Sequence, residues 1–512
     1  KQQRVISPGM FTATAYAPVP DVACKVTPDV KLPGKTKLMF IDLARGKRRL
    51  GASAFAQVIG QVGNEVPDVE DTALLKQGFQ AVQKLIERNI ILSLHDISDG
   101  GLLITVLEMA FSGDCGITLN LTGSSDTLGL FGTCFAQELG WVMEYEPKNE
   151  QIIYGILRRA GLTGCIRRIG FTTSERNILV TYNREVKFRE SMSEVRDWWH
   201  ETSYRIDSVQ ANPKTALEER EALRNSEELS YHLSFMARPT PKRLLQGRRP
   251  CVAILRAHGT NGDLEMARVF ELAGFEPWDV NMSDLMAGKV KLTSFRGLVF
   301  CGGFSYKDVF GSGKGWAHIF KYNTCLKFQL HAFTTRSDTF ILGVCNGFQA
   351  MSQLGLFTEF GFNVNQPRLL QNKVGRFDSH NVMLKVQDSP SIFFQGMEGS
   401  VLGVPIAHGE GRLHFPESEG LPYAFENHLV PLRYVDGTHQ PTERYPFNPN
   451  GSSGAIAALT SAHGRFLGIM PHPERAFQPR QWHYWPPEWK NKDTSPWLQM
   501  FINAREWCDK NK

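Results

Sequence analysis

A cysteine placed between two glycines, Cys345, is the first candidate for a catalytic side chain. It follows the apolar run TFILGV, which predicts a buried strand, and precedes FQAMSQLGLF, whose apolar spacing predicts a helix. A G-x-C-x-G turn between strand and helix is the cysteine version of the nucleophile elbow. Gly343 and Gly347 permit the tight turn that lifts the sulfur above the sheet, and the helix N-terminus favours the thiolate. A buried structural cysteine is the alternative, and it is the commoner role of a lone cysteine after an apolar strand.

A nucleophilic cysteine needs a base, and the base needs a group that orients it. The segment MPHPER at residues 470–475 continues the apolar run RFLGIM and contains His472 and Glu474. In an extended segment these two side chains project to one side, so the carboxylate can hold the imidazole tautomer while the other nitrogen faces the thiol. The alternative is a surface loop with an unrelated His and Glu, because H-x-E is a common pattern.

Two further segments follow apolar runs and carry groups that could contact a substrate. Gly302 and Gly303 end the run GLVFC, and glycines at a strand end can expose backbone N–H groups to a developing oxyanion. An ordinary strand-to-helix turn is the alternative. Residues 405–412 (PIAHGEGR) include His408 and are a candidate substrate-binding segment, although a solvated loop fits the local sequence equally well.

A separate candidate site lies in HDISDGG, residues 95–101. Asp carboxylates suit Mg²⁺, whereas Ser hydroxyl and Gly N–H groups suit phosphate oxygens, so Asp96 and Ser98 are candidates for these two tasks. The alternative is a helix N-cap made by Ser98 or Asp99. The segment is not a Walker A loop, because no GK[ST] follows it.

These residues need elements that position them. Four apolar strands separated by helical stretches after Pro250 predict a doubly wound, mostly parallel sheet, whose ligand crevice lies beyond the carboxyl ends of the strands. Earlier in the chain, strands at residues 12–17, 37–42 and 90–95 alternate with helices at 71–87 and 102–111, which predicts an α+β subdomain. A helix is predicted at 188–204. The expected domains are residues 1–155, residues 156–245 with a linker, and residues 246–512.

Composition excludes several classes of protein. The 512 residues carry 57 basic and 52 acidic side chains, a net charge of +5, which argues against a nucleic-acid or membrane-surface protein. Nine cysteines without a CxxC pair argue against a disulfide scaffold or zinc ribbon and favour a reducing, cytoplasmic location. Because the sequence lacks an initiator Met and opens with a strand-like pattern, we expect it to be a fragment of a longer chain.

The motifs GVCNGFQ and MPHPER resemble those of the class I, or triad, glutamine amidotransferases. CGGFSYKDVFGSGKGWA, IAHGEGR and RYPFNPNGSSGAIAAL are more specifically similar to the glutaminase domain of the phosphoribosylformylglycinamidine synthase family, in its large single-chain form. The upstream segments RLGASAFAQV and HDISDGGLLITVLEMAFSG resemble the last part of the synthetase region of that family.

The resemblance implies an ATP-dependent carbon–nitrogen ligase of purine biosynthesis. Glutamine would be hydrolysed in one region, and the ammonia would convert formylglycinamide ribonucleotide to its amidine in another, with ATP and Mg²⁺. It implies a set of roles: Cys345 as nucleophile, His472 as base, Glu474 as its partner, backbone groups of Gly303 and Asn346 as oxyanion donors, Gln349 and His408 as glutamine contacts, Asp96 as a Mg²⁺ ligand and Ser98 as an ATP contact.

The resemblance also implies which molecules the protein meets. These are glutamine and the ribonucleotide, with other purine-pathway enzymes as candidate partners and no nucleic acid or membrane. Two alternatives stay open at this point: a triad cysteine hydrolase of the peptidase type, and a scaffold remnant that kept the fold and lost the activity.

Overall fold

The computed structural model describes residues 12–21, 24–225, 230–357, 366–489 and 492–511. The chain forms two compact units, Lys1–His200 and Glu201–Lys512. The functional boundaries expected at residues 155 and 245 stay predictions. In the described part of the chain, no helix has the length and apolar character needed to cross a bilayer.

The first unit is built on one sheet with helices on both faces. Its strands are β1 (Lys37–Asp42), β2 (Ser93–Asp96), β3 (Gly116–Leu121), β4 (Gly140–Tyr145), β5 (Ile166–Thr173), β6 (Asn177–Tyr182) and β7 (Glu185–Ser191). Its helices are α1 (Ala54–Val58), α2 (Thr72–Glu87), α3 (Gly101–Ser112), α4 (Thr127–Phe135) and α5 (Glu150–Arg159). Helix α6 (Met192–Gln210) begins in this unit and continues past His200, the last residue of the unit. The strand order is β2-β4-β1-β5-β3-β6-β7, antiparallel except for the β3–β6 pair.

The central strand β1 shows why this sheet is covered on both sides. Its side chains alternate between the faces with the period of two that a strand imposes. Leu38 and Phe40 join the core on the side of α3, whereas Met39 and Ile41 join the core on the side of α2 and α5. Both faces are therefore buried, and the predicted α+β layer architecture is confirmed.

Three local predictions in this unit are wrong. Residues 12–17 were predicted as a strand, but they form none and are exposed, because alternating residue types without a sheet partner do not make a strand. The helix predicted from residue 188 begins at Met192, and Phe188 lies on β7. The strand predicted at 90–95 is displaced to Ser93–Asp96, so Asp96 is the last residue of β2.

The second unit contains the larger core. Its strands are β8 (Cys251–Arg256), β9 (Glu276–Asn281), β10 (Gly297–Phe300), β11 (Phe340–Val344), β12 (Arg368–Leu370), β13 (Asp378–Val386), β14 (Val401–His408), β15 (Arg412–His414), β16 (Leu432–Val435), β17 (Ala458–Thr460) and β18 (Phe466–Ile469). Its helices are α7 (Pro213–Arg224), α8 (Lys242–Leu245), α9 (Asp263–Leu272), α10 (Met282–Met286), α11 (Lys314–Tyr322), α12 (Thr324–Thr335), α13 (Asn346–Leu354), α14 (Gly420–Glu426) and α15 (Leu498–Lys510).

The main sheet of this unit has the strand order β17-β18-β11-β10-β8-β9, with β17 antiparallel and the other strands parallel. Strands β13, β14 and β16 form a separate antiparallel sheet, and β12 pairs with β15.

Helices cover both faces of the main sheet. On β11, Phe340 packs its ring against Phe270 of α9 and Trp507 of α15. Gly343, whose Cα–Cβ direction is opposite, lies against Met351 of α13. Because α9 and α13 lie on opposite faces, the sheet is doubly wound, as the sequence predicts.

Candidate active site

Cys345 lies in a strained turn between β11 and α13. Its φ of 52° and ψ of −108° are an unfavourable combination for a residue with a side chain, at a cost of order 1–3 kcal/mol. The Cys345 N–H donates to Ile469 O over 2.7 Å, which fixes the turn to β18. The residue is only 4% exposed. The nucleophile-elbow geometry expected from the sequence is therefore present.

Two glycines let α13 approach the sheet closely enough to make this turn. A Cβ on Gly343 would lie 2.3 Å from Met351 Sδ, and a Cβ on Gly347 would lie 1.9 Å from Phe300 O. Both distances are shorter than a non-bonded contact allows, so a side chain at Gly343 or Gly347 would push α13 away from the sheet. The close packing places the positive end of the α13 dipole beside Cys345, where it can stabilise negative charge that develops during a reaction.

His472 and Glu474 follow β18, the parallel neighbour of β11. Nδ1 of His472 lies 2.6 Å from Oε1 of Glu474, and the His472 N–H donates to Pro405 O over 2.9 Å. Nε2 of His472 has no hydrogen-bond partner among the described residues. One ring nitrogen is thus held by the carboxylate, and the other remains for a proton transfer.

A glycine beside the triad shows how close the cysteine and histidine lie. A Cβ built on Gly302 would be 2.8 Å from Cε1 of His472 and 3.8 Å from Cβ of Cys345. The two side chains therefore pack against the same backbone atom. The structure brings together the three residues that the sequence predicted as a triad.

The electrostatics of this group favour a charged imidazole. Burial disfavours protonation of His472, but the charge of Glu474 and then that of Cys345 outweigh it and raise the pKa of His472 to about 9. A protonated imidazole at this position can give its proton to a leaving amine.

The two expected oxyanion donors are Asn346, which follows Cys345 in the chain, and Gly303, which follows the glycine that packs against Cys345. Asn346 is the first residue of α13, so its N–H is one of the amides that the helix leaves unused. At Gly303 the flanking backbone is fixed: Phe304 N–H donates to Gly259 O over 2.8 Å, and Asn261 N–H donates to Gly302 O over 3.2 Å. No acceptor for Gly303 N–H is present in the described part of the chain. Both amides are thus available to a substrate oxygen.

The side chains of Asn346 and Gln349 are engaged within the protein. Asn346 Oδ1 accepts from Ser305 N–H over 3.1 Å, and its Nδ2 donates to Gln349 Oε1 over 3.0 Å. Gln349 Nε2 donates to Glu410 O over 2.6 Å. The expected glutamine contact is therefore buried in a network, and it positions the loop carrying Glu410.

His408 ends β14, a strand of the separate three-stranded sheet. It is 2% exposed, its Nδ1 lies 3.3 Å from Asn372 Oδ1, and its Nε2 has no partner among the residues described. The Cys345 thiol donates a hydrogen bond over 3.4 Å to the carbonyl oxygen of Ala407, the residue before His408. Burial, followed by the nearby charge of His472, lowers the pKa of His408 to about 3. The predicted binding segment thus contacts the cysteine directly.

A strained segment that the sequence did not predict adjoins Asn346 in this site. Tyr306, Lys307 and Asp308 have φ values of 54°, 56° and 50°, which L-residues rarely adopt in succession. Asn346 Nδ2 lies 3.3 Å from Asp308 Oδ1 and helps to hold them. No glycine marks these positions, so no local signal could have predicted the conformation.

Asp96 and Ser98 lie in the first unit, between β2 and α3. The side chain of Asp96 is 73% exposed, and Oδ1 of Asp96 lies 3.3 Å from Nδ1 of His95. Ser98 Oγ donates to Glu108 Oε2 over 3.5 Å, and the same carboxylate oxygen is 3.0 Å from His95 Nε2. Glu108 was missed, although it is the single charge in the apolar run LLITVLEMAF. In the described residues, no group of three or more His, Cys, Asp or Glu side chains is arranged to hold a metal.

Two family models match separate parts of the chain, one in each compact unit. Residues 249–508 match the family described as "CobB/CobQ-like glutamine amidotransferase domain", and residues 43–183 match "AIR synthase related protein, C-terminal domain". One relative, "Probable phosphoribosylformylglycinamidine synthase, chloroplastic/mitochondrial" from Arabidopsis thaliana, is 45% identical over 99% of this chain and 36% of its own length. "Phosphoribosylformylglycinamidine synthase" from Homo sapiens is 40% identical over 99% of this chain and 39% of its own length.

Among solved structures, "Structure of PurLQS from Thermotoga maritima" is 26% identical, with a TM-score of 0.37, over 51% of this chain and 98% of that one. This chain spans well under half the length of the curated relatives it matches. Because the match at 249–508 covers just over half of the sequence and includes the whole Cys345 site, the chain belongs to the family of CobB/CobQ-like glutamine amidotransferase domains.

Proposed function

We propose that the second unit hydrolyses glutamine through Cys345, His472 and Glu474. The observation that carries the proposal is a buried His472–Glu474 pair, 2.6 Å apart, packed with Cys345 against Gly302. A cysteine, a base and a group that orients the base are what nucleophilic acyl transfer requires.

The reaction follows from the roles of these atoms. The Cys345 thiolate attacks the side-chain amide carbon of glutamine, and the oxygen that becomes negative is bound by the N–H groups of Gly303 and Asn346. His472 gives a proton to the departing nitrogen, so ammonia leaves and a glutamyl thioester remains. His472 then takes a proton from water, the water oxygen displaces the sulfur, and glutamate is released.

The substrate pocket includes the residues that pack next to the cysteine. Gln349 and His408 contribute to glutamine binding in this proposal. The buried, unpartnered Nε2 of His408 supports this, because such an atom is a potential hydrogen-bonding group for a ligand. Gln349 acts through the loop of Glu410, to which its amide is bonded.

The whole reaction extends the proposal beyond this unit. We propose that the ammonia converts formylglycinamide ribonucleotide to its amidine, with ATP cleaved to ADP and phosphate, as a step of purine biosynthesis. The names of the relatives and the match at residues 43–183 support it. Other purine-pathway enzymes are candidate partners. A cytoplasmic location belongs to the proposal too, although one relative is named chloroplastic/mitochondrial.

Asp96 and Ser98 fit a magnesium–nucleotide site in which the nucleotide phosphates supply most of the ligands of the ion. Mg²⁺ is commonly bound by one or two carboxylates together with substrate phosphates, and Asp96 offers one exposed carboxylate at a strand end. Ser98 adds a hydroxyl at the start of the Gly turn that leads into α3. When bound, Mg²⁺ would neutralise phosphate charge, while Asp96 would hold the ion and Ser98 would orient a phosphate oxygen.

The test of the proposed glutaminase is a substrate panel. The chain is incubated with L-glutamine, L-asparagine and a set of peptides, and released ammonia and new amino termini are measured. We expect ammonia from glutamine alone. Peptide cleavage without glutaminase activity would replace the proposal with a cysteine peptidase, and no turnover of any substrate would favour a scaffold that lost its activity.

A further inference from the structure

A cavity of about 580 Å³ lies at the end of the second unit away from Cys345. Its wall includes Cys251 at the start of β8 and Arg296 just before β10, whereas Cys345 follows the carboxyl end of β11. Because these strands are parallel, the cavity and the cysteine lie at opposite edges of the sheet. A strand of five residues separates the edges by about 17 Å. A ligand bound in the cavity would not occupy the glutamine site.

The lining of this cavity is strongly basic. Six of its fourteen lining residues are arginine and one is acidic. The arginines are Arg243, Arg248, Arg249, Arg296, Arg336 and Arg505. In a chain whose charges nearly cancel, such a concentration at one cavity indicates an anion as the ligand.

Nearby carboxylates neutralise only part of this charge. Their pairs are Asp338 with Arg296 and Arg336, Glu506 with Arg243, and Asp509 with Arg243 and Arg505. Arg248 and Arg249 pair with no carboxylate among the described residues; the single protein acceptor near them is Leu245 O, 3.3 Å from Arg249 Nη2. In the described part of the chain, three carboxylates therefore pair with four of the six guanidinium groups, and the two guanidinium groups without a carboxylate partner belong to adjacent residues.

Several of the paired arginines are already fixed in place. Arg296 donates to Asp338 O and to Asn511 O, each over 2.6 Å. Arg336 donates to Thr293 O and Phe295 O over 3.2 Å. Because these side chains are held by backbone carbonyls, little rotamer freedom is lost when an anion binds beside them.

We infer that this cavity binds an oligophosphate anion, either free diphosphate or the diphosphate group of a nucleotide. A guanidinium group presents paired donors that match two phosphate oxygens, and adjacent phosphates match the adjacent pair Arg248 and Arg249. The volume lies within the range of small-molecule sites and admits a diphosphate with an attached group. The site is independent of the proposed glutaminase chemistry.

The test is calorimetric titration of the whole chain with sodium pyrophosphate in magnesium-free buffer, and then with ADP. We expect saturable binding that weakens as salt is added, and at least about tenfold weaker binding in Arg248→Gln/Arg249→Gln, because hydrogen bonds to charged groups are strong. The matched control is Arg205→Gln/Arg268→Gln, which removes the same charge from two exposed helical arginines. The control should bind as the wild type does.

Competition between pyrophosphate, ADP and adenosine shows whether the cavity binds free diphosphate or the diphosphate group of a nucleotide. If pyrophosphate binds and displaces ADP, free diphosphate suffices; if ADP binds at least tenfold more tightly, the nucleotide is the source, and both results support the site. Absence of binding by both probes would overturn it, as would equal weakening in the control variant, which would indicate a general charge effect. Displacement of ADP by adenosine would also overturn it, since the phosphates would not be the recognised group.

Discussion

Nδ1 of His472 lies 2.6 Å from Oε1 of Glu474 in a place where neither side chain meets solvent. The carboxylate fixes which face of the imidazole is turned to the rest of the site and stabilises the protonated ring. Oε2 of Glu474 has no partner among the described residues, so the pair with His472 is the main task of this carboxylate.

Replacing Glu474 with glutamine should therefore damage catalysis more than binding. We expect Glu474→Gln to lower kcat for glutamine hydrolysis by about 10²–10⁴-fold, because the imidazolium loses its charge partner, with a much smaller change in KM. Steady-state kinetics measure both. Glu265→Gln is the matched control, since Glu265 pairs at the surface with the neighbouring Arg475. An unchanged kcat in Glu474→Gln would remove the carboxylate from the triad.

Because the pKa of His472 is raised in the folded protein, the free energy of unfolding should fall as the pH rises from about 6.5 to about 9. Between the ordinary value of 6.5 and about 9 the folded protein holds a proton that the unfolded chain has lost. This contribution to the free energy of unfolding is therefore complete below about pH 6.5 and is lost as the pH rises to about 9. Denaturant unfolding should show wild type losing stability across that window relative to His472→Gln. Parallel curves for the two proteins would contradict the raised pKa.

Because the pKa of His408 is lowered in the folded protein, this residue should reduce the free energy of unfolding as the pH falls below about 6.5. As the pH falls below 6.5 the unfolded chain binds a proton at this histidine, whereas the folded protein does not until about pH 3. Wild type should therefore lose about 2 kcal/mol more than His408→Asn between about pH 7 and pH 5. Denaturant titrations at several pH values measure this difference in slope, and equal slopes would show that His408 titrates normally when folded.

The close approach of α13 to the sheet predicts a strong effect at Gly347. A Cβ there would lie 1.9 Å from Phe300 O, so Gly347→Ala must displace the helix and the cysteine before it. We expect a loss of about 1–3 kcal/mol in the free energy of unfolding together with a loss of glutaminase activity. Gly164→Ala is the control, because nothing lies within 4 Å of its Cβ position. If Gly347→Ala left both stability and activity unchanged, the tight elbow packing would be wrong.

The strand, turn and helix around Cys345 could be predicted because their signals are local. An apolar run, two glycines and an apolar helical spacing all lie within about twenty residues, and each follows from backbone sterics and burial. The same holds for the parallel strands that position His472. The doubly wound sheet was predicted for this reason.

Other parts of the site depend on contacts that no local pattern records. Asn372 and His408 lie 36 residues apart and meet through a separate antiparallel sheet. Tyr306 and Lys307 have a left-handed conformation that neither residue prefers, and Asn346 bonds to Ser305 and Asp308 on either side of them. Tertiary contacts also decide the ends of elements, as the strand at Phe188 shows.

The proposed glutaminase reaction requires Cys345 as its nucleophile. The direct measurement is glutamate release together with the intact mass of acid-quenched protein after mixing with glutamine, for wild type, Cys345→Ala and the exposed-cysteine control Cys325→Ala. Wild type and Cys325→Ala should release glutamate and carry a glutamyl adduct, whereas Cys345→Ala should show neither. Glutamate release by Cys345→Ala at a rate close to that of wild type would contradict the account.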